Sequence, residues 1–186
     1  MSRAAGAIAL ARAPVGPAVA LGAELVPVPD STTVGSSRAS TTRLMVPTDA
    51  NFSGNVSGGH ILSEIDLVAF IAANRHAKAR CVTASFDRVD FLQPVHVGDV
   101  VDFDAEVTFV GTSSMEVWVR VHAEPSHGGD RRMVGEAYVT MVAVDESGRP
   151  VTVPPLALHT VEERLRFEEG RRRMEERRRT RHPRTP

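Results

Sequence analysis

The 186-residue chain holds one cysteine, one tryptophan and one tyrosine, and aromatic residues make up only 5% of it. A lone cysteine, Cys81, excludes an internal disulfide framework and suits a reducing compartment. The longest apolar run, Leu67 to Ala73, is far too short for a membrane-spanning helix. Net charge is −1, so overall charge points neither to nucleic acid nor to a membrane surface. The seven histidines show no i, i+4 pair and no zinc-type clustering with carboxylates, so no metal is expected. No lysine follows the glycines at 58 and 59, which excludes a phosphate-binding P-loop, and no strand–turn–serine elbow is present.

What is present fits one soluble globular domain with tails: 42% hydrophobic and 24% charged residues. The charge is unevenly spread. Residues 160–186 carry ten arginines against six glutamates, which leaves the rest of the chain acidic. The first residues are Ala-rich and basic, but Arg12, Pro14 and Pro17 interrupt any export-type apolar segment. Residues 1–40 read as a disordered leader and 156–186 as a charged helical tail. Between them, 41–155 read as the folded domain.

Within 41–155 the pattern predicts a short strand ending at Pro47, a turn-rich loop, and an apolar helix from about Gly58, with Ser57 at its N-cap position. Alternating segments follow at 80–92, 100–110, 115–124 and 133–145, joined by short turns. One helix wrapped by an antiparallel meander is an α+β layer structure. A helix apolar on nearly every side needs cover beyond its own sheet, and a second copy of the chain supplies it.

Asp66 stands out in that helix. It shares a face with Leu62, Ser63, Ala69, Phe70 and Ala73, where a carboxylate must be paired, neutralised or used. Glu64 points elsewhere and is expected at a rim. Asn55, Gly58 and Gly59 precede or open the same helix; bare N–H groups there can polarise a carbonyl oxygen, and glycines let a substrate approach. The same glycines equally suit a tight loop. Asp66 lies eight residues past Gly58, about 12 Å along the axis at 1.5 Å per residue, beyond reach of Asn55 in the same chain. Two antiparallel helices about a two-fold axis would join Asn55 of one chain to Asp66 of the other. Cys81 reads as a small buried hydrophobe. In the tail, Glu162–Arg166, Glu168–Arg172, Glu169–Arg173 and Glu175–Arg179 are spaced as i, i+4 pairs, predicting a solvated, self-paired helix rather than a nucleic-acid surface.

The motifs "GNVSGGHILSEID", "VTASFDRVDFLQPVHVGDVV", "GTSSMEV" and "VPPLALHTVEERLRFEEGRRR" occur in order between about Arg43 and Arg173. Together they resemble the hotdog-fold acyl-CoA thioester hydrolases of the cytosolic and YciA-like type. The resemblance implies a central helix wrapped by an antiparallel sheet, a double-hotdog dimer, and in many members three dimers to a hexamer. It implies a catalytic asparagine and aspartate, which fall on Asn55 and Asp66. Some relatives fuse two hotdogs that contribute one residue each; a chain with one hotdog and both residues should act as a homodimer. The strand residues Thr83, Ala84 and Ser85 and the turn Gly111, Thr112, Ser113 and Ser114 are implied to line the coenzyme A site, with Gly58 nearby. The implied reaction is cytoplasmic hydrolysis of fatty acyl-CoA, with no cofactor beyond the CoA carried by the substrate. Asn55 and the Gly59 N–H would hold the thioester carbonyl, and Asp66 would act as general base or nucleophile. Two alternatives stay open at this point: a hotdog enoyl-CoA hydratase and a non-catalytic CoA-binding protein.

Overall fold

In the computed structural model, which describes residues 32–180, the alternating segments form four long strands and the apolar run forms one long helix. In chain order the elements are β1 (Thr32–Thr33), α1 (Val34–Ser37), β2 (Ala39–Leu44), a 3-10 turn (Pro47–Asp49), α2 (Gly58–Ala77), β3 (Arg80–Phe91), β4 (Asp99–Val110), β5 (Ser114–Pro125), β6 (Arg132–Val144), β7 (Leu156–Ala157) and α3 (Val161–Thr180). The main sheet has the order β2-β4-β5-β6-β3, antiparallel throughout. This is the α+β hotdog arrangement that the resemblance implies, with a five-stranded sheet against one long helix.

Period-two alternation sends one set of strand residues to the inner face: Phe103, Val107, Val117, Val119, Val121, Val139 and Met141 are fully buried there. They form one core with Ile65, Val68, Ala69, Ala72 and Ala73 of α2. Burial of a side chain such as Val or Ile contributes about 1.5–3 kcal/mol, so this interface dominates the stability of the fold. The helix stops at Lys78, whose left-handed backbone (φ 53°) turns the chain while its N–H bonds Asn74 O. Asn74 Oδ1 then accepts from the Cys81 N–H at 2.9 Å, tying the helix end to β3.

Two expectations about the tails are corrected. The disordered leader does not extend to residue 40. Residues 32–40 belong to the fold because Val34 and Ala39 are buried, β1 pairs in parallel with β7, and Ser37 Oγ accepts from the Val107 N–H at 3.1 Å. The remainder of that leader, residues 1–31, lies outside the described residues.

The tail is helical but only partly self-paired. Its arginines reach across to carboxylates on the outer face of the sheet: Arg166 to Glu106 at 3.1 Å, Arg173 to Glu116 at 2.8 Å, Arg177 to Asp87 at 2.8 Å. Within α3 the ion pairs among the described residues join Arg171 to Glu168 and Glu175, none of the four expected. Gly170 makes the close approach possible, since a Cβ there would stand 2.7 Å from both Glu116 Oε1 and Phe109 Cβ.

Candidate active site

Helical periodicity places Asp66 on the border between two faces of α2. Ala69 and Ala73 beside it are fully buried, whereas Leu67 and Phe70 are 49% and 39% exposed. Asp66 is therefore half-buried in the single chain. The Thr83 hydroxyl donates to its Oδ1 at 2.6 Å, a short charge-assisted hydrogen bond. Among the described residues Oδ2 accepts no hydrogen bond, so one oxygen is held and the other is left to take a proton. No histidine bonds Asp66, so the Asp/His pair of a hydratase is not assembled among the described residues. The deeply buried carboxylate of α2 is Glu64 rather than Asp66, which corrects its expected rim position. Glu64 is 7% exposed and faces Arg43 Nε at 3.4 Å and His60 Nε2 at 4.0 Å.

The asparagine loop before α2 is held by its own backbone. Asn51 N–H bonds Asn55 O at 2.7 Å, and Gly54 N–H bonds Asn51 O at 3.0 Å, with Gly54 left-handed at φ 81°. Val56 N–H bonds Val95 O at 2.8 Å and Ser57 N–H bonds Asp49 O at 2.8 Å, anchoring the loop on both sides. Asn55 Oδ1 lies 3.0 Å from His96 Nδ1, and Asn51 Oδ1 accepts from Ser53 N–H at 2.8 Å. With both carbonyl oxygens engaged, each side-chain NH2 remains a free donor among the described residues. Both asparagines line a cleft of about 340 Å³, closed by Ile61, Phe91 and Leu92. His96 was missed by sequence reasoning; only its place within the "QPVHVGD" turn marks it, and its pairing with Asn55 is long-range.

Ser57 occupies the N-cap position but makes no side-chain capping bond. The N–H groups of Gly58 and Gly59 likewise find no acceptor among the described residues. Neither glycine has left-handed backbone, and an added Cβ would meet the Phe91 ring at 3.4 Å or Ser57 Oγ at 3.6 Å, ordinary contact distances. These glycines therefore leave a bared helix start rather than serve a tight turn.

The expected site residues are thus divided within one chain. Asn55, Gly58 and Gly59 cluster at the start of α2, with Asn51, which sequence reasoning did not single out, beside them, and Asp66 with Thr83 lies about 12 Å further along. Gly111–Ser114 forms a tight turn closed by Gly111 N–H to Ser114 O at 2.7 Å. Register puts that turn at the end of the sheet where β3 begins, since Ser114 pairs with Val142 and Arg80 with Val144. The asparagine loop contacts Val95 and His96 at the opposite end, roughly 36 Å away for a twelve-residue strand. Thr83 and Ser85 do not line one surface. A bulge at Ala84 breaks the alternation and turns Ser85 to the outer face, where it donates to Asp87 and accepts from Arg177.

Cys81 is buried, as expected, and burial pushes its thiol up to about 11, which keeps it protonated at neutral pH. Among the described residues no group of three or more His, Cys, Asp or Glu gathers as a metal site, and no helix is long and apolar enough to cross a membrane.

Comparison with known proteins now adds to this geometry. Residues 53–130 match the thioesterase superfamily profile. The chain is 41% identical over 135 residues to an uncharacterized acyl-CoA thioester hydrolase of Bacillus subtilis, covering 73% of this chain and 78% of that protein. It is 37% identical over 145 residues to the rat cytosolic acyl coenzyme A thioester hydrolase, covering 77% of this chain but only 38% of the longer rat protein. A hexameric acyl-CoA thioesterase solved in its apo form superposes with a TM-score of 0.77 at 43% identity, covering 80% of this chain and 96% of the other. The acyl-CoA hydrolase of Staphylococcus aureus, solved with butyryl coenzyme A, coenzyme A and coenzyme A disulfide, gives 0.74 at 34% identity, covering 80% and 90%. Variants of that S. aureus enzyme with one Asn, one Asp or one Thr replaced by Ala have also been characterised. With identity of this level over most of its length, on a sheet wrapped about one helix, the chain belongs to the thioesterase superfamily.

Proposed function

We propose that the protein hydrolyses fatty acyl-CoA to a free fatty acid and coenzyme A, working as a homodimer with two sites, each shared between chains. The observation that carries this reading is the Asp66 carboxylate, held on one oxygen by Thr83 and free on the other. Asp66 would take a proton from water as the water oxygen attacks the thioester carbonyl, or attack that carbon itself to give an anhydride that water then opens. On either route the C–S bond breaks and the CoA sulfur leaves as thiolate, to be protonated in turn. Water and Asp66 supply the chemistry, and no separate cofactor enters the step. The name of the rat relative supports a cytosolic setting.

The choice of asparagine shifts. The replaced Asn, Asp and Thr of the S. aureus enzyme stand 15 and 17 residues apart, the spacings of Asn51, Asp66 and Thr83 here. Asn55 lies only 11 residues before Asp66. Spacing therefore favours Asn51 as the donor to the thioester carbonyl, with Gly59 N–H beside it. Asn55, to which the motif resemblance assigns that role, becomes a support held by His96.

Three features support a second copy over the Asp66 side. Leu67 and Phe70 of α2 and Phe86 of β3 leave apolar surface exposed there. The twelve-residue edge of β3 is paired on one side only among the described residues, and such edges are normally covered. The asparagine loop and Asp66 cannot meet within one chain. A two-fold axis through this region brings the loop of one chain to Asp66, Thr83 and the Gly111–Ser114 turn of the other, and the hexameric relative offers a further level of assembly.

Thiol release from a panel of acyl-CoAs tests the activity, and subunit mixing tests the shared site. Asn51→Ala and Asp66→Ala should each be nearly inactive alone. Mixed in equal amounts they should regain about a quarter of wild-type activity, because half the dimers then carry one intact site. Tagged mixed dimers with no regained activity would refute the shared site. Full activity in Asn51→Ala, with loss in Asn55→Ala, would return the donor role to Asn55.

A further inference from the structure

A second cleft, of about 680 Å³, lies on the opposite side of the sheet from the β3 edge, and the hydrolytic reading does not use it. β2 and β4 border it, and two strands separate β4 from β3, roughly 14 Å across at 4.8 Å per strand. Arg38, Arg75 and Arg120 line it together with Asp104 and Glu106.

The charges in this cleft do not cancel. Glu106, 2% exposed, is saturated from both sides, by Arg38 Nε at 3.0 Å on Oε2 and by Arg166 Nη1 at 3.1 Å on Oε1. Asp104 accepts from the Ser40 hydroxyl at 2.7 Å and lies 3.6 Å from Arg131. Arg75 and Arg120, by contrast, have no carboxylate within ion-pair distance among the described residues. Arg75 donates to the Arg38 carbonyl. Glu136, directly across the strands from Arg120, is taken instead by the Trp118 indole N–H at 3.1 Å. Arg120 lies over the Trp118 ring, 4.7 Å from its centroid, and Trp118 also carries Arg166 at 4.8 Å. Arg120 Nε is buried with no acceptor. Stacking of this kind holds a guanidinium in place while leaving its edge donors unspent.

Two uncompensated guanidinium groups at one cleft suit a doubly charged oxyanion, which arginine binds through paired N–H donors. The volume is that of a small-molecule site. We propose that this cleft binds a phosphate-bearing ligand, with Arg75 and Arg120 taking the phosphate oxygens and Trp118 holding Arg120 in place. The phosphates of a CoA substrate and those of a separate nucleotide share this chemistry.

Isothermal titration of the full-length protein with inorganic pyrophosphate tests the site without turnover, so its outcome is independent of the Asp66 reading. Wild type should bind. Arg75→Gln/Arg120→Gln should bind at least about tenfold more weakly at an unchanged melting temperature, the effect of losing charge-assisted hydrogen bonds. Arg120→Gln alone serves as the second variant and should weaken binding in the same direction. Arg178→Gln/Arg179→Gln, on the exposed side of α3, should bind like wild type. No binding to wild type, equal affinity in the cleft variants, or equal loss in the α3 control overturns the proposal. The source is then read from kinetics. A rise in KM for acyl-CoA with added pyrophosphate, at constant kcat, assigns the cleft to the substrate's own phosphates. Unchanged KM alongside retained binding assigns it to a separate phosphate compound.

Discussion

The sheet is covered on both faces by a helix of 20 residues, yet the two covers work by different physics. On the inner face α2 buries Ile65, Val68, Ala69 and Ala72 against Val and Phe side chains, and the contact is nondirectional. On the outer face α3 buries almost nothing apolar beyond Met174 and the Phe109–Phe167 contact at 4.9 Å. It is held by Arg166, Arg173 and Arg177 on buried or half-buried carboxylates. Glu116, 1% exposed, accepts from Arg173 at 2.8 and 2.9 Å and from the Thr108 hydroxyl at 2.8 Å. An apolar face tolerates small changes at many positions, whereas a face of paired charges depends on a few contacts. The inner face is also where the chemistry is proposed: Asp66 is the polar residue that α2 presents at the margin of its apolar contact.

The largest expected effect lies on the inner side. Asp66→Asn should lower kcat by at least ~10², the scale of losing a general base, while leaving melting temperature and coenzyme A binding nearly unchanged. Near-normal turnover would make Asp66 a structural residue and erase the functional contrast between the faces.

Arg173→Ala should cost about 2 kcal/mol of unfolding free energy, since it strips a buried Glu116 of its charged partner, while kcat stays near wild type. The measurement is denaturant unfolding alongside steady-state rates. A stability loss below a few tenths of a kcal/mol would mean that the outer helix is decorative after all. Gly170→Leu offers a sharper version. A side chain there must push α3 off Glu116 and Phe109, so Arg173→Ala should cost little more in that background.

Thr83→Val keeps shape but removes the hydrogen bond to Asp66 and should lower kcat about tenfold, the equivalent of one hydrogen bond to a charged group. If Thr83 only packs, Thr83→Val will turn over like wild type and Thr83→Ser, which loses the methyl group, will be the more impaired. Rescue by serine identifies the hydroxyl as the part that matters.

The smallest effect is a pH dependence of stability. Burial, and secondarily the charge of Lys78, lower the pKa of His76, and its bond to the Pro154 carbonyl offsets them only in part. Because the folded pKa lies below the ordinary value of 6.5, the unfolded chain binds more protons in that window. His76 therefore favours the folded state above about pH 6.5 and works against it as pH falls below that. Melting temperature should drop more steeply between pH 7.5 and 5.5 in wild type than in His76→Gln. Parallel slopes would remove His76 from the acid response.

The sequence by itself determined the long helix at Gly58, the four alternating strands, their antiparallel layering and membership of the family. Each of these rests on local periodicity or ordered motifs, which a linear reading captures. It also marked Asp66 and supplied the spacing on which the proposed second chain rests. Tertiary structure alone decided which carboxylate is buried. Glu64 and Asp66 differ by two positions, but their burial depends on where Arg43 and Thr83 arrive from distant strands. It decided that residues 32–40 belong to the fold, because a Ser/Thr-rich stretch looks solvated until Ser37 meets Val107. It decided the course of α3 as well. The i, i+4 spacing of Glu and Arg is a weak local preference worth a few tenths of a kcal/mol, and buried sheet carboxylates outbid it for the arginines. Charge pairing is set by which partners tertiary contacts bring close, and the order of residues along the chain does not encode that directly.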